Sequence, residues 1–460
     1  MRGSLAQLIS AMPGARLVGG DIAFEGVSTD SRKLQPGMLF VALRGEVFDA
    51  HNFLGQVASS GVAAVVAEEL PEGWTLPAIV VPNTLTALGQ IANQWRAQYA
   101  IPVIGVTGSN GKTTVKEMIA AILAAAFGED QRLATQGNLN NEIGVPLTLF
   151  RLGAQHQAAV IELGMNHPGE IGRLSAIAAP TVGLVNNAQR EHQEFMHTVE
   201  AVARENGSVL QALSAGGVAV FPGDDTYTDL WRGLAKCDVL TFGLTNDCDV
   251  RASYTSNGFG SDLQVTARGA QFGVKLAAAG EHNVRNALAA FACALAAGIP
   301  ADAIVRGLEA FAPVGGRLQR KQAVNGATVI DDTYNANPDS MRAAIDVLAS
   351  YPAPRILVVG DMGEVGAQGK EFHEEIGAYA QSKGIETVLA TGELARHLAA
   401  SGAQHYEQFD ELLAALDSKL GGNAGAKCDV TVLVKGSRFM KMERVVQHLT
   451  GSTPIGKDAH

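Results

Sequence analysis

The chain has 460 residues, 47% hydrophobic and 18% charged, enough for roughly three domains of ordinary globular composition. Thirty-five Lys and Arg against 46 Asp and Glu leave a net charge of −11, which argues against a nucleic-acid partner, whose phosphates demand concentrated positive charge. The four cysteines (237, 248, 293 and 428) form no CxxC pair, so neither a zinc site nor a disulfide framework is indicated. No apolar run reaches the roughly 18–20 residues of a membrane span, and Gln7 and Ser10 interrupt any signal-peptide core after Arg2. The expectation is a cytoplasmic, monomeric enzyme without membrane insertion.

In chain order, short β-like runs (Met38–Leu43, Ala63–Ala67, Ala78–Val81) precede a helical stretch, Thr84–Tyr99. Pro102 opens a strand, Val103–Thr107, which enters a glycine turn and a helix-period segment, Thr113–Phe127. Further apolar runs at Ala158–Ile161 and Thr181–Val185 alternate with helix-like stretches, and the Ala-rich segment Ala287–Ile299 reads as a buried helix. A Pro-Val-Gly-Gly linker at 313–316 leads to a second strand series: Thr328–Ile330, Arg355–Val359, Thr387–Ala390 and Val430–Val434. Strands alternating with helices predict an α/β fold with parallel sheets covered on both faces. The segments predict three domains, at 1–100, 101–314 and 315–460.

The sharpest local signal is Gly105-Val-Thr-Gly-Ser-Asn-Gly-Lys-Thr-Thr114. A strand feeding a glycine turn and a helix aims backbone N–H groups and the positive helix end at one point, which suits phosphate. Gly108 and Gly111 allow close approach, Lys112 adds a mobile charge and Thr113 offers a hydroxyl to Mg²⁺; Ser109, Asn110 and Thr114 complete the loop. Strict Walker spacing would need glycine where Val106 stands, and the competing reading is a glycine turn with an exposed lysine. Glu162 ends the run Ala-Val-Ile, where parallel strand ends converge on the loop and a carboxylate can hold a phosphate-bound metal. His192 follows the run 181–185 through Asn186 and Asn187; it is either a metal ligand or a structural histidine.

Gly-Ser-Asn-Gly-Lys-Thr-Thr with this shortened spacing resembles the loop of the Mur ligases and folylpolyglutamate synthetases, and the resemblance to the Mur ligases extends over nearly the whole chain. Gly280-Glu-His-Asn283 is similar to the family's adenine-proximal helix start, and Gly316-Arg317 to its nucleotide-contacting arginine. Ser28-Thr-Asp-Ser-Arg32, with Leu39–Gly45 and His51-Asn-Phe53, resembles the uridine-nucleotide domain of the two later enzymes of the pathway. Asp331-Asp-Thr-Tyr-Asn-Ala-Asn-Pro-Asp-Ser-Met341, Gly360–Gly366 and Lys435-Gly-Ser-Arg438 resemble the branch that adds D-alanyl-D-alanine. No Asp-Asn-Pro-Arg tetrapeptide of the third-residue-adding branch occurs.

The resemblance implies a small N-terminal α/β uridine-nucleotide domain, a central parallel-sheet phosphate-loop ATPase domain and a C-terminal Rossmann-like α/β domain. It implies ATP and Mg²⁺ as cofactors, with UDP-N-acetylmuramoyl-tripeptide and D-alanyl-D-alanine joined through an acyl phosphate. Lys112, Glu162 and His192 then form the catalytic set, with Thr113 and Glu162 toward a first Mg²⁺ and His192 with Glu162 toward a second near the acyl phosphate. Asn283 meets adenine, Asp332 the ribose, Arg317 the nucleotide across the domain boundary, with Tyr334 and Asn335 near base and ribose. Ser28, Thr29, Asp30, Ser31 and Arg32 face the uridine nucleotide, or merely cap a turn. Asp361, Glu364, Lys435, Ser437 and Arg438 are substrate-side candidates; solvated turn charges and a basic surface turn are the plainer alternatives.

One departure stands out. Many Mur ligases carry a lysine, carbamylated by CO₂, after the His192-type motif, whereas Val202-Ala-Arg-Glu-Asn-Gly-Ser-Val209 places Asn206 there. Asparagine cannot be carbamylated, so the expectation is metal contact through water or none, with Glu205 as an anionic substitute, or a plain helix-surface residue at 206. Two rival functions remain: a folylpolyglutamate-type or other Mur amino-acid ligase, and a regulatory module with a decayed site. The uridine motif argues against the folate enzyme, and the presence of Lys112, Glu162 and His192 argues against decay.

Overall fold

The computed structural model describes residues 1–421 and 428–452. Its major sheets draw on separate stretches of chain: five strands between Arg16 and Val80, nine between Val103 and Leu276, and six between Gln319 and Tyr406 or Thr431–Lys435. The α/β fold class read from the sequence is what the chain adopts. No helix among the described residues is long and apolar enough to cross a membrane.

In the nine-stranded sheet, Val103–Thr107 lies between Ala158–Glu162 and Val182–Val185, and pairs parallel with both. The chain builds one side of this strand first and then crosses to the other, so the crevice beyond its carboxyl end is a topological switch point, where α/β sheets bind ligands. Alternate residues enter opposite cores. Ile104, Val106 and Val160 pack beneath the helices Lys112–Phe127 and Glu281–Ala296, while Val103, Ala159 and Ile161 meet Glu170–Ala178 and Val199–Gln211. Both faces are therefore covered, as expected for parallel strands.

The sheet is not parallel throughout, however. Val250–Ser256, Ser261–Ala267 and Ala270–Leu276 extend it by antiparallel pairing. Leu263, Val265 and Ala267 are buried while Asp262 and Gln264 are exposed, a period-2 pattern that marks a half-buried strand.

The helix Lys112–Phe127 buries Val115, Met118, Ile119, Ile122 and Leu123, one stripe at helical spacing. Gly307 of the helix Ala301–Ala310 lies against its backbone: a Cβ there would meet Ile122 Cα at 2.3 Å. The Ala-rich segment is indeed a buried helix, with Cys293 fully enclosed. In the C-terminal sheet, Thr328–Asp332, Thr431–Lys435 and Arg355–Val359 run parallel, so Asp332 and Lys435 end adjacent strands in register.

Candidate functional site

A cavity of about 880 Å³ lies at the switch point, between the central and C-terminal sheets. Its lining includes Ser109 to Thr114, Glu162, His192, Asn283, Arg317, Asp332, Tyr334, Asn335, Glu364 and Lys435. Gly108 lies directly beneath, packed against Asn186 and Asn187, and has φ +136°.

The loop is held from the side by asparagines. Ser109 N–H donates to Asn187 O (3.2 Å) and Asn110 N–H to Asn187 Oδ1 (2.9 Å). Gln189 N–H donates to Ser109 Oγ, and Asn186 Nδ2 to Asn286 Oδ1 (2.9 Å). Gly111, at φ +82°, caps the helix beginning at Lys112, and a Cβ there would lie 2.4 Å from Asn286 Oδ1. The first N–H groups of that helix have no intrahelical acceptor and are free for an anion. Lys112 Nζ meanwhile folds back on Gly108 O and Ser109 O, and lies 3.3 Å from Glu191 Oε2.

Glu162 is 2% exposed; its Oε1 accepts from Thr113 Oγ1 (3.2 Å) and Asn140 Nδ2 (2.9 Å). Its Oε2 has no hydrogen-bond partner among the described residues, and neither has Oε1 of Glu191, 7% exposed. Buried polar atoms are almost always paired, so two orphaned carboxylate oxygens lining one cavity fit a divalent cation. His192 has φ +48° and its Nδ1 lies 2.6 Å from Glu364 Oε2; Glu364 has φ +57°. Left-handed backbone is uncommon for such residues and clusters at functional sites. The His192 ring holds the Glu364 carboxyl below the usual range despite its burial.

The C-terminal domain supplies the opposite wall. Arg317 Nη2 donates to Thr113 Oγ1 (2.9 Å) while its guanidinium lies 4.0 Å from the Tyr334 ring centroid. Lys435 Nζ bridges Asp332 Oδ2 (2.6 Å) and Asn335 O (2.8 Å). Asn283 donates to Ala279 O and accepts from Asn286.

Other sequence candidates lie elsewhere. The carboxylate of Asp361 accepts from the N–H groups of Glu393, Leu394 and Ala395, so it tethers a neighbouring turn and does not line the cavity. Ser437 Oγ is engaged by Ala336 O and Gly363 N–H, and Arg438 points outward to Glu443. Ser28 to Arg32, Thr29 and Ser31 included, lie in the N-terminal domain and are not among the residues lining the cavity. There Ser28 Oγ accepts from Asp30 N–H, and Arg32 pairs with Asp30, lowering that carboxyl to about 2.

Asn206 is fully buried, not on the helix surface, and accepts from Thr107 Oγ1 at 2.8 Å. Glu205 accepts from Gly169 and Ile171 N–H, capping the helix Glu170–Ala178, so it is not free to replace a metal ligand. Neither residue lines the cavity.

Sequence reasoning passed over Asn140, Glu191, Arg190 and His282. All four line the cavity, and burial lowers the His282 pKa. The Asn-Leu-Asn-Asn run at 138–141 was the available signal for Asn140.

A glycine loop, an inward lysine and buried carboxylates at a switch point, closed by a second α/β domain, define a nucleotide-dependent transferase or ligase site. Family models match accordingly: the Mur ligase family catalytic domain at 23–96, the Mur ligase middle domain at 106–294, and the Mur ligase glutamate ligase domain at 316–438. The UDP-N-acetylmuramoyl-tripeptide–D-alanyl-D-alanine ligase of Escherichia coli K12 is 38% identical over 97% of this chain and 98% of its own. Its Bacillus subtilis namesake is 34% identical over 93% of each. Among solved structures, MurF from Acinetobacter baumannii superposes with a TM-score of 0.91 at 35% identity, covering 98% of this chain and 99% of its own. The chain belongs to the Mur ligase family and is an ATP-dependent ligase. A folylpolyglutamate synthase from Mycobacterium tuberculosis shares the fold alone, at 18% identity and a TM-score of 0.62, covering 82% of this chain and 95% of its own.

Proposed function

We infer that this ligase joins D-alanyl-D-alanine to UDP-N-acetylmuramoyl-tripeptide. A carboxylate does not acylate an amine unaided. Its oxygen attacks the γ-phosphorus of ATP, the bond to the β-bridging oxygen breaks, and ADP leaves an acyl phosphate. The dipeptide amine then attacks that carbonyl, loses a proton, and the C–O bond to phosphate breaks. Both steps gather negative charge, which is why lysine, helix N–H groups and cation belong at one point.

In this reading Lys112 turns from its loop carbonyls to the β- and γ-phosphates, and the helix N–H groups hold the phosphate oxygens. Thr113 and Glu162 would hold a first Mg²⁺, and His192 with Glu162 a second near the acyl phosphate; when bound, the cations would offset phosphate charge. Asn283 meets adenine; Asp332, with Tyr334 and Asn335, meets ribose and base; Arg317 reaches the nucleotide from the C-terminal side. Ser28 to Arg32 meet the uridine nucleotide, and Glu364 and Lys435 face the reacting ends. The ligase so read works in the cytoplasm, as a monomer.

The observation that carries the reading is the phosphate loop closed by Arg317 on Thr113, combined with whole-length similarity to ligases of that name. The test is phosphate release from ATP with each component omitted in turn, using lysine- and diaminopimelate-containing tripeptides. ADP and phosphate are expected only with ATP, Mg²⁺, tripeptide and dipeptide together. Equal release without either acceptor or dipeptide would remove the reading.

A further inference from the structure

Glu191 takes no part in the chemistry assigned to Lys112, Glu162 and His192, yet it lines the same cavity. Its Oε2 is 3.3 Å from Lys112 Nζ and 3.8 Å from His192 Nε2, and its Oε1 has no partner among the described residues. Across the same cavity the Oε2 of Glu162 is also unpartnered.

Charge decides what such a pair is for. A triphosphate bound on the glycine loop would meet two buried carboxylates, and the repulsion would be strong where water is scarce. Lys112 cannot screen both while it also binds the phosphates. A cation between carboxylates and phosphates removes the conflict, and carboxylate oxygens with a neutral imidazole nitrogen form a suitable donor set.

The neighbouring helix offers no anion in place of Glu191, since Glu205 caps a helix and Asn206 is neutral and turned to Thr107. Glu364 pairs with the other nitrogen of His192, which leaves Nε2 on the Glu191 side.

We propose that Glu191 joins Glu162 and His192 in holding the second of the two cations, and that nucleotide binding releases Glu191 for this by drawing Lys112 away. Among the described residues no three acidic, His or Cys side chains are already gathered tightly enough to hold a cation. The set closes when the lysine leaves Glu191 and phosphate oxygens fill the remaining positions. Arg190 beside it is fixed to Asp339 through both main chain and side chain, which anchors the backbone from which the Glu191 side chain turns. The proposal rests on reading the glycine loop as a nucleotide site.

The test is Mn²⁺ binding to the full chain, followed by electron paramagnetic resonance with saturating β,γ-methylene-ATP. The wild type is expected to bind one Mn²⁺ tightly and a second more weakly. In Glu191→Gln, the dissociation constant of the weaker Mn²⁺ should rise at least tenfold with the tighter unchanged, and Glu191→Asp should fall between. Thermal melts check the fold, and Glu191→Asp carries the comparison if the glutamine variant does not fold. Unchanged Mn²⁺ binding in Glu191→Gln overturns the proposal. So does tighter nucleotide binding with unchanged Mn²⁺, which would make Glu191 only a counter-charge to Lys112. A wild type that binds no β,γ-methylene-ATP would remove the phosphate-site reading, and this proposal with it.

Discussion

Arg190 of the central domain grips Asp339 of the C-terminal domain twice over: its backbone N–H donates to Oδ2 at 2.8 Å, and Nη2 to Oδ1 at 2.7 Å. Nη1 also reaches Glu375 at 2.7 Å, and the guanidinium lies over Phe372. Burial alone would lower the arginine's pKa, but hydrogen bonds to Glu375 and Asp339 outweigh it and raise it. The same loop carries Asn187 and Gln189, which hold the glycine loop, so the contact between domains and the geometry of that loop share one short segment.

Replacing Arg190 by Met removes the guanidinium bonds to Asp339 and Glu375, leaving Asp339 only the backbone N–H and both carboxylates facing a methyl group. Partly exposed pairs contribute about 1 kcal/mol each, so the closed form should lose on the order of tenfold in population. Small-angle scattering should show a larger radius of gyration without ligands, and kcat should fall more than nucleotide affinity. An unchanged radius would show that the grip does not hold the domains together.

Lys112→Ala should lower turnover on the order of 10²–10³-fold, as for loss of one oxyanion donor. Its amine touches only loop carbonyls and Glu191, so the melting temperature should stay within a few degrees of wild type. Near-normal turnover would refute the phosphate assignment.

Acid should open the molecule. Glu364 is held below the ordinary carboxylate range by His192, and Glu375 by Arg190. A depressed carboxyl contributes its contact above the unfolded value, about 4.3, and loses it as pH falls through the lowered value. Scattering should therefore be constant from pH 8 to 5 and show expansion below about pH 4. Glu364→Gln should blunt the transition; an identical profile would exclude that pair as a cause.

Activity should not depend on bicarbonate, since Asn206 is buried against Thr107 and cannot form a carbamate. Purging CO₂ at constant pH and restoring bicarbonate should leave the rate unchanged. Reversible loss of most activity would mean that a lysine elsewhere is carbamylated. Asn206→Leu should cost about 1–3 kcal/mol, because the Thr107 hydroxyl would lose its buried acceptor.

Gly307→Ala tests the packing beneath the site. The added methyl would collide with the backbone at Ile122, so the helix Lys112–Phe127 must shift. A stability loss of about 1–3 kcal/mol is expected, with weaker nucleotide binding because that helix begins at the loop. A neutral melting temperature would contradict the close approach.

What the sequence made legible was local. The run from Val103 to Phe127 declares its strand, turn and helix within some 25 residues, and motif order across the chain pointed to the family. The antiparallel strands at 250–276 carried a readable alternation but are polar on one face, so no continuous apolar run marks them. Arg190 and Glu191 look like solvated loop charges, because the partners of Arg190 lie 149 and 185 residues on, and the partner of Glu191, Lys112, lies 79 residues back. Asp361 misled for the opposite reason: it sits in a distinctive motif, but its oxygens serve the turn beside it.

The fit of Gly111 against Asn286 and Asn186 bears on transplantation. Residues 105–114 form only part of the glycine turn's surroundings; the other wall is asparagine side chains from a later strand end and from the buried Ala-rich helix. A decapeptide grafted onto another strand–turn–helix scaffold would bring the glycines without the surfaces that require them. Its turn would be free to sample other shapes, and phosphate affinity would return only when counterparts of 186, 187 and 286 travelled with it.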